Sequence, residues 1–592
     1  MSRDRTPGTK PGYALPFLAA AVLCSVPFAV TTASADQSKG PPQCATLASV
    51  LLKNKDISKA ASAIQPAANG IASYCQVNIT VSDLEGPKDG YLPGQKQMNM
   101  IGIALPLNSA DGGGGGVQGN WNGRIEDVGG GGFNGSVGIA PYAPVTNSGY
   151  VGSSTDTGHE STVGTSDGSF ALNPNGTLNW GLIRDFAFNG IHEQAVWTKN
   201  VTRLYYNMDP KYTYWNGCST GGRQAHQQAQ TYPDDFDGIL GGDPAINWDR
   251  FVAAELWPQV VMKQEVGAPI SADKLNAVTQ AAINACDALD GITDGIVQDP
   301  RACTYSAKQF VCSGSVSDSA NCLTPQEAVA VNKIWDGPPG LNRGSRLWFG
   351  LERGTPLPRG PFGTAPVDGL AGQVPFNLAL SYYQYWIFQN PAFDWHTLTE
   401  STFTRAFLES ELKFNQVIGT DDPNLSKFRK RGGKMILYHG LNDEVIFPRG
   451  SYNYYNRVTA AMGGISETQK FYRFFPYPGN NHCGFAITSP NAPLINTTDL
   501  FNALINWVEH GVAPDSIVAY NSANPTTATV SRPICKYPDK LVFKGGSTSV
   551  ASNFFCQHQD HDDFLVTDLV VPVLGADQGR DDDNGHAAND QH

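Results

Sequence analysis

Charge is scarce for a chain of 592 residues: 16% are Asp, Glu, Lys or Arg, and their formal balance is −13. No basic patch or stripe is present, which excludes the electrostatic footprint of a nucleic-acid-binding surface. Beyond the first 35 residues no apolar run is long enough to span a bilayer, so no membrane-embedded segment is expected in the mature chain. No internal repeat is visible, which sets aside repeat architectures. What is abundant is glycine and proline, 63 and 39 residues, in a chain that is 41% hydrophobic. That composition describes a large, loop-rich globular protein with length for one big core plus an insertion.

The N-terminus has the three parts of a secretory signal. Arg3, Arg5 and Lys10 give the positive region, Ala14 to Val30 the apolar one, and Ala33-Ser34-Ala35 a small-residue cleavage site. The expectation is a signal peptide over 1–35 and export to the periplasm or the medium. Removing Cys24 with it leaves ten cysteines, an even number that in an exported chain implies disulfides, with connectivity left open.

The chain is organised around Gly217-Cys218-Ser219-Thr220-Gly221, a G-x-S-x-G stretch. A β-prone run, Tyr212 to Trp215, leads in, and a helix-permissive segment, Arg223 to Thr231, leads out. Strand, sharp turn and helix are what a nucleophile elbow needs, because the turn lifts the serine hydroxyl clear of the sheet. Upstream, a predicted strand from Trp121 to Val128 runs straight into Gly129-Gly130-Gly131-Gly132. Such a loop supplies one backbone N–H of an oxyanion hole, here Gly131 or Gly132, and the residue after the nucleophile, Thr220, supplies the other.

A serine nucleophile needs a base and an acid to orient it, in the chain order Ser, Asp or Glu, His. Asp443 follows the predicted strand 434–440, with Glu444 as its neighbouring alternative. His482 lies in the turn-rich loop after the predicted strand 471–475, with His159, His226 and His439 as competitors. His439 is expected to line the pocket, and His192 to be structural. Cys218 adjoins Ser219 and Cys483 adjoins His482, so a bond between them would pin nucleophile and base side by side.

Helix is expected from Cys44 to Ile64 and over 185–199, and strand over 75–81. Strand and helix alternate around the elbow, which gives an α/β class with a mostly parallel sheet. From Trp248 to Arg429 the rhythm breaks into helices and Gly/Pro-rich loops, the pattern of an inserted lid domain. The expected organisation is a core in two parts, 36–247 and 430–573, a lid over 248–429, and a disordered acidic tail over 574–592. Within the lid, Asp287, Asp290 and Asp294 are separated by glycines between Cys286 and Cys303, a spacing that suits a hard cation such as calcium. A solvated acidic turn is the alternative.

The Gly-Cys-Ser-Thr-Gly-Gly-Arg elbow, Asp443 and Asn481-His482-Cys483-Gly484 resemble the tannase/feruloyl esterase family of exported serine esterases. Trp121-Asn-Gly-Arg124, the Gly129–Gly132 run and Tyr232-Pro-Asp-Asp-Phe-Asp-Gly238 share that resemblance. It implies an α/β-hydrolase fold with a triad of Ser219, Asp443 and His482 beside a Cys218–Cys483 disulfide. It also implies structural calcium on Asp287, Asp290 and Asp294 with the carbonyls of Ile292 and Ile296. The remaining bridges it implies are Cys44–Cys75, Cys286–Cys303, Cys312–Cys322 and Cys535–Cys556. The implied activity is hydrolysis of a small aromatic-acid ester, hydroxycinnamoyl or galloyl, of plant cell-wall or tannin origin. A feruloyl esterase is the first expectation, with a tannase, a terephthalate-monoester hydrolase, or a non-catalytic calcium-stabilised binding protein as alternatives. Tyr382, Tyr383, Tyr385 and Trp386 are either aromatic pocket wall or helix core. Oligomeric state is not legible.

Overall fold

The structure is a computed structural model that describes residues 40–82, 98–358, 375–562 and 564, apart from 117, 162, 315 and 316. The expected signal peptide (1–35) and acidic tail (574–592) lie outside the described residues. Nine strands form the main sheet: β1 (Ile57–Gln65), β2 (Tyr74–Val81), β3 (Asn99–Pro106), β4 (Arg124–Val128), β5 (Val151–Thr155), β6 (Tyr212–Cys218), β7 (Gly238–Gly242), β8 (Lys434–Gly440) and β9 (Tyr472–Tyr477). Their spatial order is β1-β2-β3-β5-β4-β6-β7-β8-β9. The joints from β1 through to β5 are antiparallel, and every joint from β5 to β9 is parallel.

The burial patterns follow from that topology. β7 and β8 lie inside the parallel half with helices over them, so β8 reads Met-Ile-Leu-Tyr and is buried almost throughout. β1 is the edge strand and is largely exposed. The expected helix over 44–64 is corrected here: it stops at Leu51, and 57–65 pairs antiparallel with β2, with a register shift between Ile57 and Lys59. A Ser/Ala-rich segment has little preference of its own, and an open sheet edge decides it.

Between β7 and β8 the chain leaves the sheet for nearly 200 residues. That excursion holds the helices Trp248–Ala254, Trp257–Glu265, Ala272–Cys286, Pro325–Asp336 and Glu400–Phe414. Its buried side chains share one apolar cluster with Phe133, Ile183 and Phe186 from the first part of the chain. Tyr382, Tyr383 and Trp386 belong to that cluster with essentially no exposure. Their polar atoms are used internally: the Tyr382 hydroxyl bonds Ser410, and Tyr383 and Trp386 donate to the carbonyls of Ala253 and Gly168. These aromatics are core, and the pocket-wall expectation falls for all but the half-buried Tyr385.

Among the described residues five disulfides pair Cys44–Cys75, Cys218–Cys483, Cys286–Cys303, Cys312–Cys322 and Cys535–Cys556. Stable bridges on this scale belong to an oxidising compartment. No helix among the described residues is long and apolar enough to cross a membrane.

The helix Thr497–His510 is tied to the sheet by Glu509, whose two oxygens take Nε and Nη2 of Arg124 on β4, each at 2.6 Å. Tyr214 on β6 donates its hydroxyl to the same carboxylate at 2.8 Å. These two strands carry the glycine loop and the elbow at their ends. Glu509→Ala leaves two donors without an acceptor and is expected to lower stability by about 1–3 kcal/mol. Denaturant unfolding measures it, with an unchanged slope against denaturant concentration.

Candidate active site

β6 ends at Cys218 and a helix begins at Thr220, so Ser219 alone makes the turn, at φ 63° and ψ −124°. That left-handed backbone costs a serine about 1–3 kcal/mol and persists only where its surroundings hold it. Here three hydrogen bonds do so. The Ser219 N–H donates to the Gly242 carbonyl at 3.0 Å, and its own carbonyl accepts from Arg223 and Ala245 at 3.0 and 3.1 Å.

The glycine loop lies directly on the elbow. A Cβ at Gly129 would meet the Gly221 Cα at 2.4 Å, and one at Gly217 would sit 2.7 Å from the Gly221 carbonyl. Only a glycine-on-glycine contact allows this approach. It is fastened by Gly221 N–H to the Gly130 carbonyl (2.9 Å), Thr220 Oγ1 to the Gly132 carbonyl (2.6 Å) and Gly130 N–H to Gln224 Oε1 (2.9 Å). The N–H groups of Gly131, Gly132 and Thr220 have no protein acceptor among the described residues.

Asp443 sits just past the end of β8 and is fully buried. Its Oδ1 accepts the N–H groups of Val445 and Ile446 at 2.8 and 2.9 Å, and its Oδ2 meets His482 Nδ1 at 2.8 Å. Glu444, the neighbouring alternative, reaches instead the His482 backbone N–H at 3.3 Å. Burial alone would raise the Asp443 carboxyl, but His482 and His439 hold it below the usual carboxylate range. Burial would lower His482, yet the charge and hydrogen bond of Asp443, with Asp243 and Glu444 nearby, raise it to about 9. Cys483, the residue after His482, is bonded to Cys218, the residue before Ser219, with 6.0 Å between their Cα atoms.

Comparison with known proteins gives the family of the chain. The family profile described as "Tannase and feruloyl esterase" matches residues 117–557. A probable feruloyl esterase of Arthroderma benhamiae is 34% identical over 494 residues, covering 82% of this chain and 86% of that protein. The chain belongs to the tannase and feruloyl esterase family. It is therefore a carboxylic ester hydrolase acting on small ester substrates. The crystal structure of feruloyl esterase B from Aspergillus oryzae superposes with a TM-score of 0.72 at 27% identity, over 87% of this chain and 99% of that one. A tannin acyl hydrolase from Aspergillus niger shares the fold, with a TM-score of 0.71 at 21% identity, over 88% and 97% of the two chains.

The other candidate histidines have structural surroundings. His192 pairs with Asp235 at 2.7 Å and stacks on Tyr232. His226 bonds the Gly222 carbonyl and the Tyr472 hydroxyl, and burial lowers it to about 4. His159 stacks on Phe170 and is likewise lowered to about 4 by burial. His439, expected to line the pocket, is enclosed behind Asp443. Its Nδ1 lies 2.8 Å from Ser451 Oγ, and its Nε2 is 2.9 Å from the Ile446 carbonyl and 3.2 Å from Asp443 Oδ2. That expectation is corrected: His439 is fully buried and both its ring nitrogens are engaged by the protein.

Two acids at the site were missed in the sequence. Asp243, immediately after β7, is fully buried with its Oδ1 accepting the Gly440 N–H at 2.9 Å. Burial, with Asp443 alongside, pushes it up to about 7. Its only sequence signal is an acid directly past a Gly-Gly strand end. Glu255 is 6% exposed, and neither carboxyl oxygen has a hydrogen-bond partner among the described residues. Burial first, then the Asp443 charge, raises it well above the ordinary range. Nothing in the sequence marks it.

In the acidic loop, Asp287 takes the N–H groups of Asp294, Gly295 and Ile296, and Asp294 Oδ2 pairs with Arg532 at 2.6 Å. The Asp287, Asp290 and Asp294 set is not among the groups of described side chains whose donor atoms all converge within 4.8 Å. The donor chemistry nevertheless fits calcium: hard oxygens, with the buried Ile292 and Ile296 carrying carbonyls that accept no hydrogen bond among the described residues.

The close approach of loop and elbow gives a direct test. Gly217→Ala forces backbone apart at the nucleophile, and overpacking of this kind costs about 1–3 kcal/mol. The expected outcome is a lower Tm together with slower fluorophosphonate labelling of Ser219. Wild-type labelling in a folded Gly217→Ala protein would show the contact to be incidental.

Proposed function

We propose that this protein is an exported feruloyl esterase-type enzyme that hydrolyses esters of hydroxycinnamic acids through an acyl-enzyme. The observation that carries it is the Asp443–His482 pair held by disulfide next to a strained Ser219. In the proposed reaction Ser219 Oγ attacks the ester carbonyl as His482 Nε2 takes its proton, and Asp443 holds the opposite ring nitrogen. The N–H groups of Thr220 and Gly131 or Gly132 stabilise the tetrahedral oxyanion. His482 returns the proton to the leaving alcohol, and water repeats the sequence to release the aromatic acid. The excursion 248–429 serves as a lid that walls the acyl site and sets substrate choice. The names of its relatives and the intact set of matching residues favour this over a binding role, and plant cell-wall esters are the natural source of such substrates. The cysteine-bridged chain and the signal-like N-terminus support export.

Initial rates on methyl ferulate, methyl gallate and a terephthalate monoester test the proposal. Hydrolysis of methyl ferulate is expected to be fastest, and Ser219→Ala to lower kcat by about 10^4–10^6. Faster gallate turnover would make the enzyme a tannase, and turnover that survives Ser219→Ala would overturn the mechanism. His482 must be neutral to act, and its neighbours raise it. The acid limb of kcat/KM is therefore expected above the ordinary histidine value of about 6.5.

We also propose structural calcium, held by Asp287, Asp290 and Asp294 and the carbonyls of Ile292 and Ile296. Bound calcium offsets the crowded negative charge of this loop and braces it. At 100 times its dissociation constant such an ion adds about 2.7 kcal/mol to stability. Chelation is expected to lower Tm by several degrees and calcium, but not magnesium, to restore it; an unmoved Tm in both arms would reject the site.

A further inference from the structure

Asp443 Oδ2 faces two imidazoles. His482 Nδ1 approaches it at 2.8 Å from the catalytic side, and His439 Nε2 at 3.2 Å from behind. His439 stands four residues before Asp443 at the end of β8, and its side chain is wholly enclosed. The Ile446 carbonyl at 2.9 Å can only accept, so His439 Nε2 carries a hydrogen. Asp243 Oδ1 lies 3.7 Å from the same nitrogen. Ser451 Oγ meets Nδ1 at 2.8 Å and can serve either protonation state, because a hydroxyl both donates and accepts.

We propose that His439 is a positioning residue for the hydrolysis: by sharing Asp443 Oδ2 with His482, and with Asp243 behind it, it fixes how much negative charge the catalytic carboxylate presents to the base. The inference rests on the acyl-enzyme reading of Ser219, Asp443 and His482. A carboxylate that faced His482 alone, with no water around it, would hold the imidazolium too tightly for the ring to act as a base near neutral pH. Three acids face this pair: Asp443 and Glu444 from the β8 turn, and Asp243 from the β7 turn. Glu255 adds a fourth beside Asp443 from the excursion. Against them stand the two imidazoles. Burial would lower His439, but Asp243 and Asp443 raise it above the ordinary histidine value, and in the proposed arrangement it carries the charge that offsets this cluster. Its positive charge draws on the Asp443 oxygen that His482 uses, and so leaves His482 a weaker hold on its own proton.

The test compares wild type with His439→Gln, which keeps an N–H donor of similar reach and removes the charge. Two pH profiles are read on each: kcat/KM on methyl ferulate and the rate of fluorophosphonate labelling of Ser219. The expected result is an acid limb shifted upward by at least half a pH unit in both profiles. Activity should fall several-fold below the limb and recover to within a few-fold above it, with KM little changed. A uniform loss at all pH values, with the limb unmoved, would overturn the proposal and leave His439 a packing residue. Should His439→Gln not fold, 15N-histidine NMR of the wild type decides. His439 must stay protonated at both nitrogens while His482 loses its proton, and a neutral His439 over that range rejects the proposal. Absence of Ser219 labelling in the wild type would instead defeat the acyl-enzyme mechanism itself.

Discussion

The bridge between Cys218 and Cys483 is the constraint on which the site depends. It joins the end of β6 to the loop after β9 across 265 residues, and the whole helical excursion lies within the loop it closes. In the chain-entropy account a loop of that length is worth about 5.6 kcal/mol. Its placement matters more than its magnitude. Ser219 and Cys483 both adopt positive φ, 63° and 54°, in backbone that neither residue favours. A covalent link next to one strained residue and at the other keeps each turn from relaxing independently. Two loops that would otherwise be free to drift by an ångström are held together, which is the tolerance that proton transfer demands.

Around that bridge the fold works by close approach. Gly129, Gly217 and Gly221 let the loop after β4 rest on the turn after β6 with no side chain between them. Arg124, Glu509 and Tyr214 clamp the same two strands with a charged network that ties them to the helix Thr497–His510. The N–H groups of Gly131, Gly132 and Thr220, which have no protein acceptor among the described residues, lie on this loop and turn.

The elbow, Asp443 and His482 were legible in the sequence because each is a local feature: glycine spacing, an acid past a strand end, a histidine in a turn next to cysteine. The parallel strands were legible for the same reason, as short apolar runs. Residues 57–65 were not, since an Ala/Ser-rich segment takes its conformation from the β2 edge it finds. The aromatic run 382–386 carries no sign of which way it faces, and only the shared cluster with Phe133 and Phe186 shows it to be core. His439 illustrates the same limit at the site. Its spacing from Asp443 could be read, but whether the ring turned toward substrate or under the carboxylate depended on Ile446 and Ser451, which come from the turn and helix that follow.

The distribution of charge explains why so many acids can crowd one enclosed site. A buried carboxylate without a partner is costly, and the usual escape is to keep its proton. Burial, reinforced by Asp443, moves Asp243 and Glu444 up to about 7 and Glu255 well above the ordinary carboxylate range. Asp443 alone is driven the other way, because two imidazoles and two backbone N–H groups converge on it. The site thus concentrates its negative charge on the one oxygen that faces the base, and the surrounding acids act as a reserve whose ionisation would tighten His482 onto its proton. A histidine 3.2 Å from that oxygen, as proposed for His439, lightens the charge without breaking the Asp443–His482 bond.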